Sequence, residues 1–336
     1  MNRVLRYLSA ISLIFFLSTS FFPQSGTTLF AQSETIFTRG EGTLNFTNYE
    51  PLSEKPIKLF YYIPVKGDIM KMPVLFAMHG ADRDASIQIL IWREFAEENG
   101  FVVLAPEYSK EFYKENDYQF GGVYENGDPT VIKERKYWTY QTIEAIFDFF
   151  KENTGNLSEK YKMHGHSAGG QFVHRFLLTM PDARVQQAVA SNPGSWTFPD
   201  PEGIIDSESK VHGWPYSVKD SPFSSDEALR SFFSKPLTIH LGTLDTATEG
   251  KNVPTDKGAL AQGRNRFERG WSFYKGARRL AQSKQLPFNW NIVEVEGVGH
   301  AGRSIVYGKS EIIKGKRIFS TKNISKTGAF WILYGK

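Results

Sequence analysis

The 336-residue sequence contains no cysteine. Thiol catalysis, cysteine-ligated zinc, disulfide stapling and lipid attachment through an N-terminal cysteine are excluded together. Net charge is small: 40 basic against 36 acidic residues leave +4, too little to indicate nucleic-acid binding. Beyond the first 31 residues no stretch approaches the ~18 apolar residues that cross a bilayer. What remains is 40% hydrophobic and 23% charged. That is ample for a packed core, and it argues against disorder, collagen-like repeats and coiled coil.

Residues 1–31 read as a secretory signal, so a secreted or periplasmic protein is expected. Arg3 and Arg6 form a positive start, and Leu8 to Phe22 is interrupted only by Ser, Thr and Ala. Pro23 and Gly26 break the run, and Ala31 stands at the cleavage position. Leu29 fits position −3 poorly, so the cleavage residue stays open; the alternative is an uncleaved anchor.

In the remaining chain, 32–336, one domain is expected. Ile36–Arg39 and Thr43–Phe46 flank Gly40 and Gly42, and Ile57–Pro64 follows; alternation with glycine punctuation suggests antiparallel strands. Val74–Met78, Phe101–Pro106, Tyr161–His164, Val185–Ala190, Leu237–Leu241 and Trp290–Val295 read as buried strands. Ile87–Asn99, Thr142–Asn153 and Gln171–Met180 have helical spacing. This alternation implies βαβ units and a mostly parallel sheet. Residues 199–235, rich in Pro, Ser and Asp, read as an insertion, either a lid or a passive surface loop. Residues 303–336 hold eight basic residues against Glu311 alone, whereas 32–302 carries a net −5. Such a tail is either a solvated edge or a dock for an anionic surface or polymer. Its Ile318-Phe319 and Phe330–Tyr334 look like strand material.

The chemical signal is Gly165-His166-Ser167-Ala168-Gly169-Gly170, a G-x-S-x-G match. The bare motif is weak, but here it follows a short strand and opens a helix, the setting of a nucleophile elbow. Glycines two residues to either side relieve the tight turn, and the new helix aims its N-terminus at Ser167 Oγ. The Ala168 N–H is one expected oxyanion donor. The loop after Val74–Met78 begins His79-Gly80-Ala81, and the Ala81 N–H is the second. In this kind of fold the acid and then the histidine follow the serine. Of seven histidines, only His212, His240 and His300 lie well beyond Ser167. His240 reads as packed within a strand and His212 lies in the insertion. His300 sits in the loop Gly297–Gly302 at a strand's end, which makes it the expected base. Asp245, ending Gly242-Thr243-Leu244-Asp245, is the expected acid, with Glu249, Asp256 and Asp200 as alternatives. His79, Tyr108, Trp196 and Trp214 are candidate substrate contacts, with packing as the other reading of the tryptophans. A Ser-His-Asp mechanism needs no metal and no organic cofactor.

On Met78-His79-Gly80, Pro106-Glu107-Tyr108, the elbow, Gly242–Asp245 and Gly299-His300, residues 55–302 resemble secreted α/β-hydrolases of the polyhydroxybutyrate depolymerase and feruloyl esterase-like group. The resemblance implies an α/β-hydrolase fold with helices on both faces of the sheet. It also implies hydrolysis of esters: hydroxyalkanoates, aryl or alkyl esters, or acylated sugars. A serine peptidase or acyltransferase on the same triad is the alternative, and a non-catalytic surface-binding homologue is another.

Overall fold

Five consecutive apolar residues in an extended strand must present side chains to both faces of a sheet. Val74–Met78 does this: Val74, Phe76 and Met78 join one core and Leu75 and Ala77 the other, all fully buried. The computed structural model describes residues 36–309, 311–313 and 316–335; the expected signal segment, 1–31, lies outside the described residues.

The strands are β1 (Gly40–Phe46), β2 (Ile57–Ile63), β3 (Val74–Met78), β4 (Val102–Glu107), β5 (Tyr161–His166) and β6 (Val185–Ser191), then β7 (Ile204–Ile205), β8 (Val211–His212), β9 (Leu237–Gly242), β10 (Asn291–Val295), β11 (Glu311–Ile313) and β12 (Lys316–Ile318). Eight of them form one sheet in the order β1-β2-β4-β3-β5-β6-β9-β10. β1 pairs antiparallel with β2, and β2 antiparallel with β4; every pair beyond is parallel. The helices are α1 (Ser86–Asn99), α2 (Glu115–Tyr118), α3 (Gln141–Thr154), α4 (Ala168–Thr179), α5 (Asp226–Ser234), α6 (Lys257–Leu260), α7 (Arg266–Ser283), α8 (Gly302–Tyr307) and α9 (Ala329–Tyr334). α3, α4, α5 and α7 cover one face through Phe147, Phe172, Phe232 and Phe273. α1, α8 and α9 cover the other through Trp92, Ile305 and Phe330. The expected α/β-hydrolase architecture, a mostly parallel sheet with antiparallel N-terminal strands and helices on both faces, is the observed one.

Two local expectations need correction, and the sequence leaves two further features open. Gly40–Phe46 forms one strand, and Ile36–Arg39 precedes it outside any strand. Gly42 pairs with Tyr61 in register, and a Cβ there would lie 2.2 Å from the Tyr61 ring; that glycine makes room for a ring rather than a turn. Phe330–Tyr334 is helical. A short apolar run has no decisive period, and the helix lets Phe330 stack on Phe95 at 4.2 Å and Tyr334 on Phe101 at 4.0 Å. The tail is thus seated on the body there, with Thr327 O accepting from His240 Nε2 at 2.7 Å. Residues 199–235 are anchored on the body. Val218, Leu229, Phe232 and Phe233 are fully buried, and the Phe233 carbonyl accepts from the Asn289 N–H. Finally α7 emerges where sequence periodicity is faint, because its buried face mixes Arg266, Arg269 and Gly270 with Phe273.

Phe330→Ala removes the ring that pins α9 to α1. It is expected to lower stability by about 3–5 kcal/mol, as large-to-small core changes do. Urea unfolding measures this, and a loss below about 1 kcal/mol would contradict the packing described.

Candidate active site

The junction of β5 and α4 carries the strain on which the site is built. Ser167 has φ 59° and ψ −119°, in the left-handed half of backbone space where a side chain is disfavoured. A Cβ on Gly165 would lie 2.2 Å from the Gly169 carbonyl oxygen, and one on Gly169 2.5 Å from that of Met78. Both positions therefore require glycine, and the reason is close backbone approach. The Ser167 N–H donates to Ser191 O at 2.9 Å, fixing the bend to the end of β6. α4 starts at Ala168 directly after it.

Three loops at the carboxyl ends of parallel strands bring the remaining groups to Ser167, as open α/β sheets favour. His300 Nε2 lies 3.0 Å from Ser167 Oγ, and His300 Nδ1 lies 2.7 Å from Asp245 Oδ2. Nδ1–H donates to the carboxylate, leaving Nε2 to accept the serine proton. Asp245 is buried, whereas the imidazole is partly open. The other carboxylates weighed for this role are engaged elsewhere or exposed: Asp256 caps α6, Asp200 accepts from the Glu202 N–H, and Glu249 faces solvent.

Sequence reasoning missed two residues that hold this arrangement. Arg266 Nη1 lies 3.3 Å from Asp245 Oδ1, with both side chains buried, and Arg266 Nη2 donates to Asn252 O. Asn192 Oδ1 accepts from the Gly242 N–H at 2.9 Å, and Asn192 Nδ2 donates to Gly299 O at 3.4 Å. Asn192 thus ties the loop after β6 to the acid and histidine loops. The Leu244 N–H donates to Val298 O at 2.9 Å between those same two loops. No sequence motif marks these residues, because their partners lie 14 to 107 positions away.

A cleft of about 600 Å³ opens at Ser167. Ala81 and Ala168 both line it. The Ala81 N–H has no acceptor among the described residues, and the Ala168 N–H, as the first of a helix, has no intrahelical one. The rims come from 110–120 and 251–256; of the segment expected as a lid, Tyr216 alone reaches the lining. The four expected substrate contacts do not reach it. Tyr108 is fully buried, its hydroxyl 2.8 Å from Thr142 Oγ1. Trp196 is buried against Phe273 at 4.4 Å, and Trp214 packs on Tyr124 at 5.3 Å. His79 accepts from the Tyr108 N–H at Nε2 (3.1 Å) and donates from Nδ1 to Gly80 O (2.9 Å), bracing the Ala81 loop from behind. His79, Tyr108 and Trp196 lie in the interior, where a ring buries more area than at an open cleft, and Trp214 packs half-buried against the core.

The chain is similar to poly(aspartic acid) hydrolase-1 from Sphingomonas sp. KT-1, with 34% identity, TM-score 0.72, and coverage of 80% of this chain and 96% of that one. It is also similar to a poly(3-hydroxybutyrate) depolymerase from Bordetella parapertussis, with 28% identity, TM-score 0.72, and coverage of 80% and 86%. No protein-family model and no curated protein matches the sequence.

Beneath the site lies a set of buried imidazoles. His240 Nε2–H donates to Thr327 O, so its Nδ1 accepts from Ser191 Oγ–H (2.8 Å), and Ser191 Oγ accepts from His164 Nε2–H at 3.1 Å. Burial pushes His79 and His164 down to about 3 and His240 down to about 4. Above pH ~6.5 neither folded nor unfolded chain protonates these rings. Below it the unfolded chain takes up protons that the folded one refuses. Stability is therefore complete above pH ~6.5 and falls by up to about 1.4 kcal/mol per pH unit for each ring as pH drops toward 4. Denaturant melts across pH 8 to 4.5 should show a plateau above 6.5 and a steep decline beneath it; a flat profile would refute the neutral-imidazole assignment.

Proposed function

The chain belongs to the α/β-hydrolase group of esterases and depolymerases, and from that membership we propose that it is an exported serine hydrolase cleaving carboxylic esters through an acyl-serine intermediate. The observation that carries this reading is the continuous Ser167–His300–Asp245 hydrogen-bond chain, at 3.0 and 2.7 Å. The sequence of residues 1–31 supports export.

His300 Nε2 removes the Ser167 proton as Oγ attacks the ester carbonyl carbon. Negative charge develops on the carbonyl oxygen, and the N–H groups of Ala81 and Ala168, with the N-terminus of α4, stabilise it. The intermediate collapses, His300 returns the proton to the departing alcohol, and acyl-Ser167 remains. Water then gives its proton to His300 and attacks the acyl carbon; collapse frees the acid and restores Ser167. Asp245 keeps the imidazole in the working tautomer and stabilises its protonated form, and Arg266 holds the second carboxylate oxygen in place. The substrate class is an aryl or alkyl ester, an acylated sugar or a polyester oligomer.

One observation favours a second reading. The 34% identical neighbour is named for hydrolysis of poly(aspartic acid), and the same acyl-serine route cleaves an amide when His300 protonates the departing amine.

Ser167→Ala and His300→Ala should each lower kcat on p-nitrophenyl butyrate by about 10³-fold or more, and the double variant should be little worse than either, because the pair acts as a unit. Equal turnover by wild type and Ser167→Ala would overturn the proposal. Faster cleavage of acyl p-nitroanilides than of matched esters would favour the amide reading.

A further inference from the structure

Three buried guanidinium groups stand at or behind the cleft with no ion-paired carboxylate among the described residues, and the steps above use none of them. Arg269 spends its N–H groups on Gly263 O, Gly194 O and Pro254 O, which leaves Arg83 and Arg175 to consider. Arg83 is 7% exposed and lines the cleft. It sits two residues beyond Ala81 on one turn, closed by its N–H to Gly80 O at 3.2 Å. The two Cα atoms are therefore within about 7 Å of each other. Arg83 Nη1 donates to Tyr108 O at 2.9 Å, and the guanidinium stacks 4.4 Å from the Tyr118 ring centre. Its other guanidinium N–H groups have no acceptor among the described residues. Glu115 and Asp117 act on it only from beyond ion-pair distance, and Asp117 already pairs with Lys55 and Lys133.

Arg175 is fully buried one layer behind the same wall. All its acceptors are neutral, among them Thr197 Oγ1 at 2.7 Å, Gln171 Oε1 at 3.1 Å and Ser195 Oγ at 3.3 Å. Gln171 and Ser195 line the cleft. Because Gln171 Oε1 accepts from both Arg175 and Ser195 Oγ–H, the Gln171 NH₂ group is left without an acceptor among the described residues.

Burying a charge is costly unless an opposite charge meets it. Both arginines remain charged under any ordinary condition, and the acceptors around them are dipoles only. Exposed lysines and acids on the rim nearly cancel and are screened by salt; the buried arginines, with Arg83 the one that lines the cleft, give it its sign. A planar fork with free N–H groups matches a carboxylate in geometry as well as charge.

We propose that the cleft takes an acyl group bearing its own carboxylate, seated on Arg83 with the field of Arg175 behind it. The inference rests on the hydrolytic reading only in placing the acyl carbonyl at Ser167. It narrows the substrates to acidic acyl compounds, such as dicarboxylate half-esters or units of a polyacid, and it holds for ester and amide alike.

The test compares p-nitrophenyl half-esters of succinate, glutarate and adipate with neutral acyl esters of equal length at constant ionic strength. For the best of the three pairs, the wild-type kcat/KM should favour the half-ester at least ten-fold. Arg83→Gln should cut that ratio at least ten-fold, and Arg83→Lys should restore part of it. A purely structural Arg83 would lower both members of a pair together and leave the ratio unmoved, which overturns the proposal. A wild-type ratio at or below one overturns it as well, while leaving ester hydrolysis intact. If Arg83→Gln does not fold, competition in the wild type decides: glutarate should inhibit neutral-ester turnover at least ten-fold more tightly than glutaramide, and equal inhibition contradicts the claim. Calorimetry of glutarate with Ser167→Ala separates recognition from chemistry. Binding by a protein whose wild type turns over neither ester nor amide would keep the anion site and defeat the hydrolase reading.

Discussion

The turn at Ser167 is the constraint from which the rest of the site follows. Holding a non-glycine residue at φ 59° costs on the order of 1–3 kcal/mol, so the surroundings must over-determine it. They do so with backbone packed against backbone: Gly165 on Gly169, Gly169 on the end of β3, and the Ser167 N–H on Ser191 O. Neither glycine contact tolerates a side chain. The strain lifts the hydroxyl off the sheet and starts α4 immediately beneath it, so nucleophile and helix dipole are set by one bend.

Around that bend the molecule converges on its site from five strand ends. β3 delivers the Ala81 loop, β5 the serine, β6 Asn192, β9 the acid and β10 the histidine. Asn192 and Arg266 act as cross-braces between loops that have no regular structure of their own. A chain without cysteine must hold such loops by packing and hydrogen bonds. The buried His164–Ser191–His240–Thr327 chain does part of this, linking the floor of the site to the C-terminal tail. The same economy has a consequence in acid, where buried neutral imidazoles favour the unfolded chain.

The sheet was readable in advance because it rests on local pattern: runs such as Val74–Met78 are continuous where both faces are covered. Ser167, Asp245 and His300 were identified as candidates by chain order and loop position, and the structure brings their side chains together. What escaped the sequence depends on distant partners. Phe330–Tyr334 has the composition of a strand and becomes helical because α1 offers Phe95 as a stacking surface. α7 hides its period by burying arginines. Tyr108, Trp196 and Trp214 are candidate cleft residues in the sequence, whereas the aromatics that line the cleft are Phe120 and Tyr216, beside arginine, lysine, glutamine and acidic groups. Arg83 carries no motif; its significance is that a cation is buried with nothing negative against it, which only three-dimensional placement reveals.

The central claim is that Ser167 is the activated nucleophile and that His300 activates it. A fluorophosphonate forms a covalent bond only with such a hydroxyl, so the direct measurement is intact-mass and peptide analysis of the mature protein after exposure to one. One adduct on the peptide carrying Ser167, lost in Ser167→Ala and strongly slowed in His300→Ala, is the predicted result. An unmodified protein, or an adduct that forms equally fast without His300, would contradict it.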